Sequence, residues 1–180
     1  MALARKHGLI RYWRIRDSFN VPIITIITEI RAPAERVFDL SRSVDFHMKS
    51  AGATRETAIN GITTGLLELG QEVTWRGKHF GVWQNLTSQI TMFSRPDHFR
   101  DSMVRGTFRR LNHDHFFETR GDLTIMKDIF DFTSPLGILG QIADTLFLKS
   151  YMRRFIVVRN NLIKQAAEGN DWKLYLQSRQ

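Results

Sequence analysis

The side chains best able to do chemistry in this sequence are histidines and carboxylates that recur at two-residue spacing among apolar neighbours. His113 and His115 lead to Phe117; Asp128 sits between Met126 and Phe130, with Phe132 beyond; Asp101 sits between Phe99 and Met103, with Arg105 next; His79 follows Val73 and Trp75 at even spacing. In an extended strand such alternate residues share one side, so each set places ionisable groups on a face otherwise made of aromatic and aliphatic side chains. A histidine held there by an aspartate can serve as general acid or base on a carbonyl compound, as a cyclase or dehydratase requires. The plainer reading is a His/Asp pair that satisfies itself in the core, because an unpaired buried charge is costly. A third reading is a metal, since His113 and His115 point the same way and His79 or Asp128 can join them. The spacing carries no sharper ligand signature, so neither a metal nor a cofactor is expected. His7, His47 and His98 read as loop or surface residues and receive no role. The chain has no Gly-x-Ser-x-Gly elbow and no glycine-rich phosphate loop; the sequence names no catalytic residue.

The elements that must position these groups are legible from periodicity. Residues 23–30 are dense in isoleucine and threonine and read as a strand. Pro33 then opens a short helix, with Val37, Leu40 and Val44 spaced for one face. Residues 50–65, holding Gly52, Gly61 and Gly65, read as a second short helix mixed with loops. From Glu72 the period changes to two, and strands are expected at 72–79, 82–93, 99–105, 110–119 and 123–132, forming an antiparallel meander. After Pro135 a helical period takes over to Gly169, with Leu139, Ile142, Leu146, Tyr151, Phe155, Val158, Leu162 and Ala166 as its apolar stripe. Strands followed by a segregated helix make an α+β domain, and a curved sheet gripping one long helix leaves a gap suited to a ligand. Trp75, Met103, Phe117, Met126, Phe130, Phe132 and Leu146 are the expected pocket walls, with Phe46, Leu86, Ile90 and Phe147 as further candidates; His79, His115 and Asp128 are the polar groups expected to orient the ligand.

Composition bounds the alternatives. With 180 residues and 42% hydrophobic content the chain is expected to form one core. The absence of cysteine excludes disulfides, thiol catalysis and thiolate metal sites. No apolar run approaches the roughly 20 residues that span a bilayer, and Arg5 and Lys6 lead into more charge rather than a signal core, so a soluble, cytoplasmic protein is expected. The net charge of +8 is concentrated at two places. One is the N-terminal arm, with Arg5, Lys6, Arg11, Arg14 and Arg16 against Asp17; the other is Lys149, Arg153, Arg154, Arg159 and Lys164 with no acid between them. No nucleic-acid motif accompanies this charge, so nucleic acid is not an expected partner. Weak association of the arm with an anionic membrane surface is compatible with its Leu9, Ile10, Tyr12 and Trp13.

The segment from Glu29 to Leu40, together with this order of elements, resembles the START-like or SRPBCC superfamily. Glu72 to Gly81, His113-Asp-His115 with Phe117, and Leu139 to Phe147 before Tyr151-Met-Arg-Arg154 resemble a bacterial, polyketide cyclase/dehydrase-like subgroup of its ligand-binding members. The resemblance implies a helix-grip fold over residues 22–168, with a basic arm at 1–21 and a tail at 169–180 outside it. It further implies binding of a small hydrophobic molecule, such as a lipid, fatty acyl or polyketide-like compound, between sheet and helix. The alternative it leaves open is a cyclase, dehydratase or hydrolase-type enzyme using the His/Asp cluster in the same cavity.

Overall fold

In the computed structural model, which describes residues 23–133 and 147–176, seven strands form one antiparallel sheet. The strands are β1 (Ile23–Ile30), β2 (Thr57–Gly61), β3 (Glu72–His79), β4 (Val82–Ser94), β5 (His98–Arg105), β6 (Arg110–Arg120) and β7 (Leu123–Thr133). Their order across the sheet is β1-β7-β6-β5-β4-β3-β2, so the expected meander runs unbroken from β3 to β7, with β2 added at its outer edge and β1 at the far one. Helices α1 (Ala34–Ser41) and α2 (Val44–Ser50) follow β1; α3 (Lys149–Glu168) and the short α4 (Lys173–Leu176) end the described chain. The basic arm, Leu146 and the stretch from Ser134 to Leu146 lie outside the described residues.

Local chemistry accounts for most boundaries. Pro33 supplies a fixed φ ahead of α1 and accepts its first backbone hydrogen bonds. The Ser43 hydroxyl accepts from the Phe46 amide and caps α2. Phe80 and Gly81, both at positive φ (52° and 81°), turn β3 into β4 through a two-residue hairpin. The second short helix therefore falls at 44–50 rather than in the 50–65 stretch, and part of that stretch becomes β2. Exposed along nearly its whole length, β2 shows no apolar alternation, which hides an edge strand from sequence.

The long helix also differs in rotation from its expected stripe. Its buried residues are Met152, Ile156, Arg159, Asn160, Ile163, Ala166 and Ala167, while Val158 is exposed. The apolar pattern is displaced by one position because Arg159 and Asn160 occupy the centre of the buried face. Both have inward partners: the Ser41 carbonyl for Arg159, and the Asp128 carboxylate with the Thr28 hydroxyl for Asn160.

Two apolar clusters fill the grip. Under α1, Phe38 meets Phe93, Phe99 and Phe117 edge-on at 5.3–5.4 Å. Near the N-terminal half of α3, Ile24, Leu111, Phe130 and Phe132 pack with Met152 and Ile156. Trp172 and Tyr175, at the start of the stretch read as a tail, pack on the first cluster; the Arg36 guanidinium lies 4.3 Å from the Trp172 ring and Tyr175 meets Phe46 at 5.1 Å.

Candidate functional site

Antiparallel register assembles the first polar cluster. Asp101 of β5 is opposite His113 of β6, which is opposite Phe130 of β7; one row along, Phe99, His115 and Asp128 are aligned. Opposite residues share a face, and the diagonal neighbours are within reach of long side chains. The His113 Nε2–H donates along one diagonal to Asp128 Oδ1 at 2.9 Å, and His115 Nε2–H donates along the other to Asp101 Oδ2 at 3.1 Å. Asn160 reaches down from α3 and donates from Nδ2 to Asp128 Oδ2 at 2.7 Å. His115 Nδ1 lies 2.8 Å from Asp128 Oδ1 but out of line for a hydrogen bond.

Asp128 has no exposed surface. Burial works against its charge, but the two histidines outweigh burial and hold its carboxyl well below the usual carboxylate range. The histidines divide in response. Burial and the neighbouring His115 lower the pKa of His113 against the pull of Asp128, whereas at His115 burial is overcome by Asp101 and Asp128 and the pKa is raised. Arg159, also buried, uses Nη2 on the Ser41 carbonyl and leaves Nε and Nη1 without hydrogen-bond partners. Burial lowers its pKa, offset by the charges of Asp128, Asp101 and Glu56.

A second polar cluster lies in the same cavity wall. His47 of α2 approaches Glu56 Oε2 with Nε2 at 2.6 Å, while His79 Nε2 of β3 is 3.3 Å from Glu56 Oε1. The Thr54 hydroxyl donates to the same carboxylate at 3.0 Å, and His79 Nδ1 is 2.9 Å from the Tyr151 hydroxyl of α3. A carboxylate only accepts, so in the neutral ring His79 carries its proton on Nε2 and takes the Tyr151 O–H at Nδ1. Burial would raise the Glu56 pKa, but both histidines hold it far below the ordinary value. Gly77 makes room for this: a Cβ there would stand 2.6 Å from Glu56 Cγ and 3.1 Å from His79 Nε2.

His47 is therefore no surface residue. It stacks on Trp75 with centroids 4.1 Å apart and lines the cavity. His98 likewise belongs to a strand rather than a loop, its Nε2 2.8 Å from Asp114 Oδ1 and its ring stacked on Phe116. Sequence reasoning missed Glu56 and Tyr151 as polar members of the site. Only the Gly77 gap beside Trp75 and His79 gave any sign of Glu56, and that sign has no meaning until β3 faces α2.

Both clusters border one cavity of about 170 Å³ between the sheet, α2 and α3. Of the expected ligand-binding residues, Trp75, His79, His115 and Phe130 line it, as do Leu86 and Ile90. Asp128 lies behind His113 and His115. Phe117 and Met126 are paired across β6 and β7 at the α1 end, where Phe38 and Ser41 cover them. Phe132 packs against Phe108 and Phe130, and Met103 is packed by the second cluster without bordering the cavity. Leu146 lies outside the described residues.

Comparison with known structures places this architecture in the helix-grip, START-like (SRPBCC) fold. An aromatase/cyclase, Zhui, from a Streptomyces species superposes with a TM-score of 0.66 at 14% identity, over 88% of this chain and 98% of that one. A START superfamily protein from Mycobacterium smegmatis gives 0.62 at 10% identity, over 81% and 97%. The major latex-like protein from Panax ginseng gives 0.63 at 15% identity, over 83% and 99%. No protein-family model and no curated protein matches the chain by sequence. Among the described residues, no helix is long and apolar enough to cross a membrane.

Proposed function

We propose that this protein binds a compact, largely apolar molecule in the cavity between sheet and α3, and orients it through the polar groups of the wall. The observation that carries this reading is the cavity itself: a partly open space walled by Trp75, Leu86, Ile90, Phe130 and Ile156, yet interrupted by His79, Asp101, His113 and Tyr151. Apolar burial at about 25 cal/mol per Å² supplies affinity, and a few placed polar groups supply orientation. At about 170 Å³ the space is close to the roughly 150 Å³ that suffices for a benzene-sized guest. A one- or two-ring compound or the end of an acyl chain therefore suits it better than a whole lipid.

The test is native mass spectrometry of the protein purified from its expression host, followed by organic extraction of whatever is bound. A stoichiometric hydrophobic adduct is expected, and Leu86→Trp, which fills the cavity from β4, is expected to lose it while keeping its circular dichroism spectrum. An adduct retained in folded Leu86→Trp would move the binding site elsewhere.

A second reading is supported by the Tyr151–His79–Glu56 chain. A carboxylate that orients a histidine, which in turn contacts a hydroxyl in the cavity wall, is an arrangement suited to proton transfer. The structural similarity to an aromatase/cyclase makes cyclisation or dehydration of a carbonyl compound the first activity to assay. Turnover of such compounds by the wild type, lost in His79→Gln with binding retained, would favour this reading; binding without turnover would favour simple carriage.

A further inference from the structure

We propose that Asp101, His113 and His115 form a binding site for one divalent transition-metal ion, open to the cavity. One ligand atom from each of the three lies within 4.8 Å of the others. Asp101 Oδ2 is already 3.1 Å from His115 Nε2 and 3.9 Å from His113 Nδ1. Bonds of about 2.0–2.2 Å space the ligands of a tetrahedral ion about 3.3 Å apart, and His115 ligates through Nε2 in the tautomer whose proton sits on Nδ1, 2.8 Å from Asp128 Oδ1. Two imidazoles and one carboxylate are a donor set for Zn²⁺ or Fe²⁺, and three protein ligands on one side leave the remaining coordination positions toward the cavity that all three residues line.

Two further observations point the same way. The first is the support behind the ligands. His113 donates from Nε2 to Asp128, which is fixed in turn by Asn160, so Nδ1 is the free lone pair, and among the described residues it has no hydrogen-bond partner. A buried carboxylate holding the far side of a ligating imidazole is the usual outer support of a metal site. The second is charge. Asp101, Asp128 and Glu56 gather around the cavity against Arg159, while Arg42, also in the wall, is taken by Asp39 and Glu68. With neutral histidines that leaves two uncompensated negative charges in a poorly solvated space, which one divalent cation balances. The rival arrangement balances the same charge with protonated histidines and needs no ion.

The experiment titrates Zn²⁺ and Co²⁺ into chelator-treated, tag-free full-length protein, by calorimetry and by Co²⁺ visible absorption. One saturable equivalent is expected, with Co²⁺ bands of a nitrogen/oxygen site and imidazole resonances of His113 and His115 that respond to Zn²⁺. His113→Gln and Asp101→Asn are each expected to weaken uptake at least tenfold, Asp128→Asn by about 10–100-fold through loss of the outer support, and His98→Gln, whose ring pairs with Asp114 and does not border the cavity, not at all. No saturable uptake by the wild type, or uptake unchanged in folded His113→Gln, overturns the site. Neither outcome depends on the apolar ligand, so a failed metal titration leaves the mass-spectrometric test of the cavity untouched.

Discussion

Asp128, expected at the cavity surface, lies behind it. It accepts from His113 and Asn160 with no surface of its own, so its removal leaves buried donors unpaired. Breaking a buried pair at one partner costs about 3–5 kcal/mol; Asp128→Ala is expected to lose that much in urea unfolding, and the isosteric Asp128→Asn distinctly less. A loss under about 1 kcal/mol for the alanine variant would show that the cluster does not hold the core together. Glu56 offers a pH signature. Its pKa in the fold is below the ordinary 4.5, so it contributes stability that is present above pH 4.5 and is lost as the pH falls below that value toward its folded pKa. The groups facing it are His47, His79 and Thr54, with the Arg159 charge beyond. Glu56→Gln is expected to lower stability at neutral pH and to flatten the acid limb of a stability–pH curve; parallel curves for variant and wild type would rule this out.

At the scale of elements, β3 and α3 show opposite limits of pattern reading. The alternation of Val73, Trp75, Gly77 and His79 identifies the inward face of β3 correctly, because a half-buried strand must alternate. The glycine in that row has a steric purpose. Gly77→Ala would drive a methyl into Glu56 and His79 and is expected to cost about 1–3 kcal/mol, as overpacking does, with unchanged urea midpoints as the result that contradicts it. On α3 the apolar stripe predicts the wrong rotation by one position, since the centre of its inward face is an arginine and an asparagine. Hydrophobic periodicity assumes that buried means apolar, an assumption that fails where a polar network is buried with its partners.

Over the whole molecule, the segregated sheet and gripping helix were legible because each strand and helix must place one face on the core. The closing contribution of the C-terminal residues was not. Trp172, Tyr175 and Leu176 return to cover α1 and α2, and truncation after Gly169 is expected to cost about 2–3 kcal/mol from the aromatic area re-exposed. A truncated chain with an unchanged melting temperature would mean that those contacts add nothing to stability.

The sequence by itself determined the α+β architecture, the strand faces and the presence of histidines and aspartates among apolar side chains, because periods of 2 and 3.6 are local properties of the backbone. Tertiary structure decided which of these groups meet. Strand register joined His113 and His115 to Asp101 and Asp128. The approach of α2 to β3 brought His47 and Glu56 to His79, and the cover of α1 withdrew Phe117 and Met126 from the cavity. A side chain's face follows from its neighbours in the chain, whereas what lies against that face depends on elements tens of residues away, packed to a density that leaves one space open and fills the next.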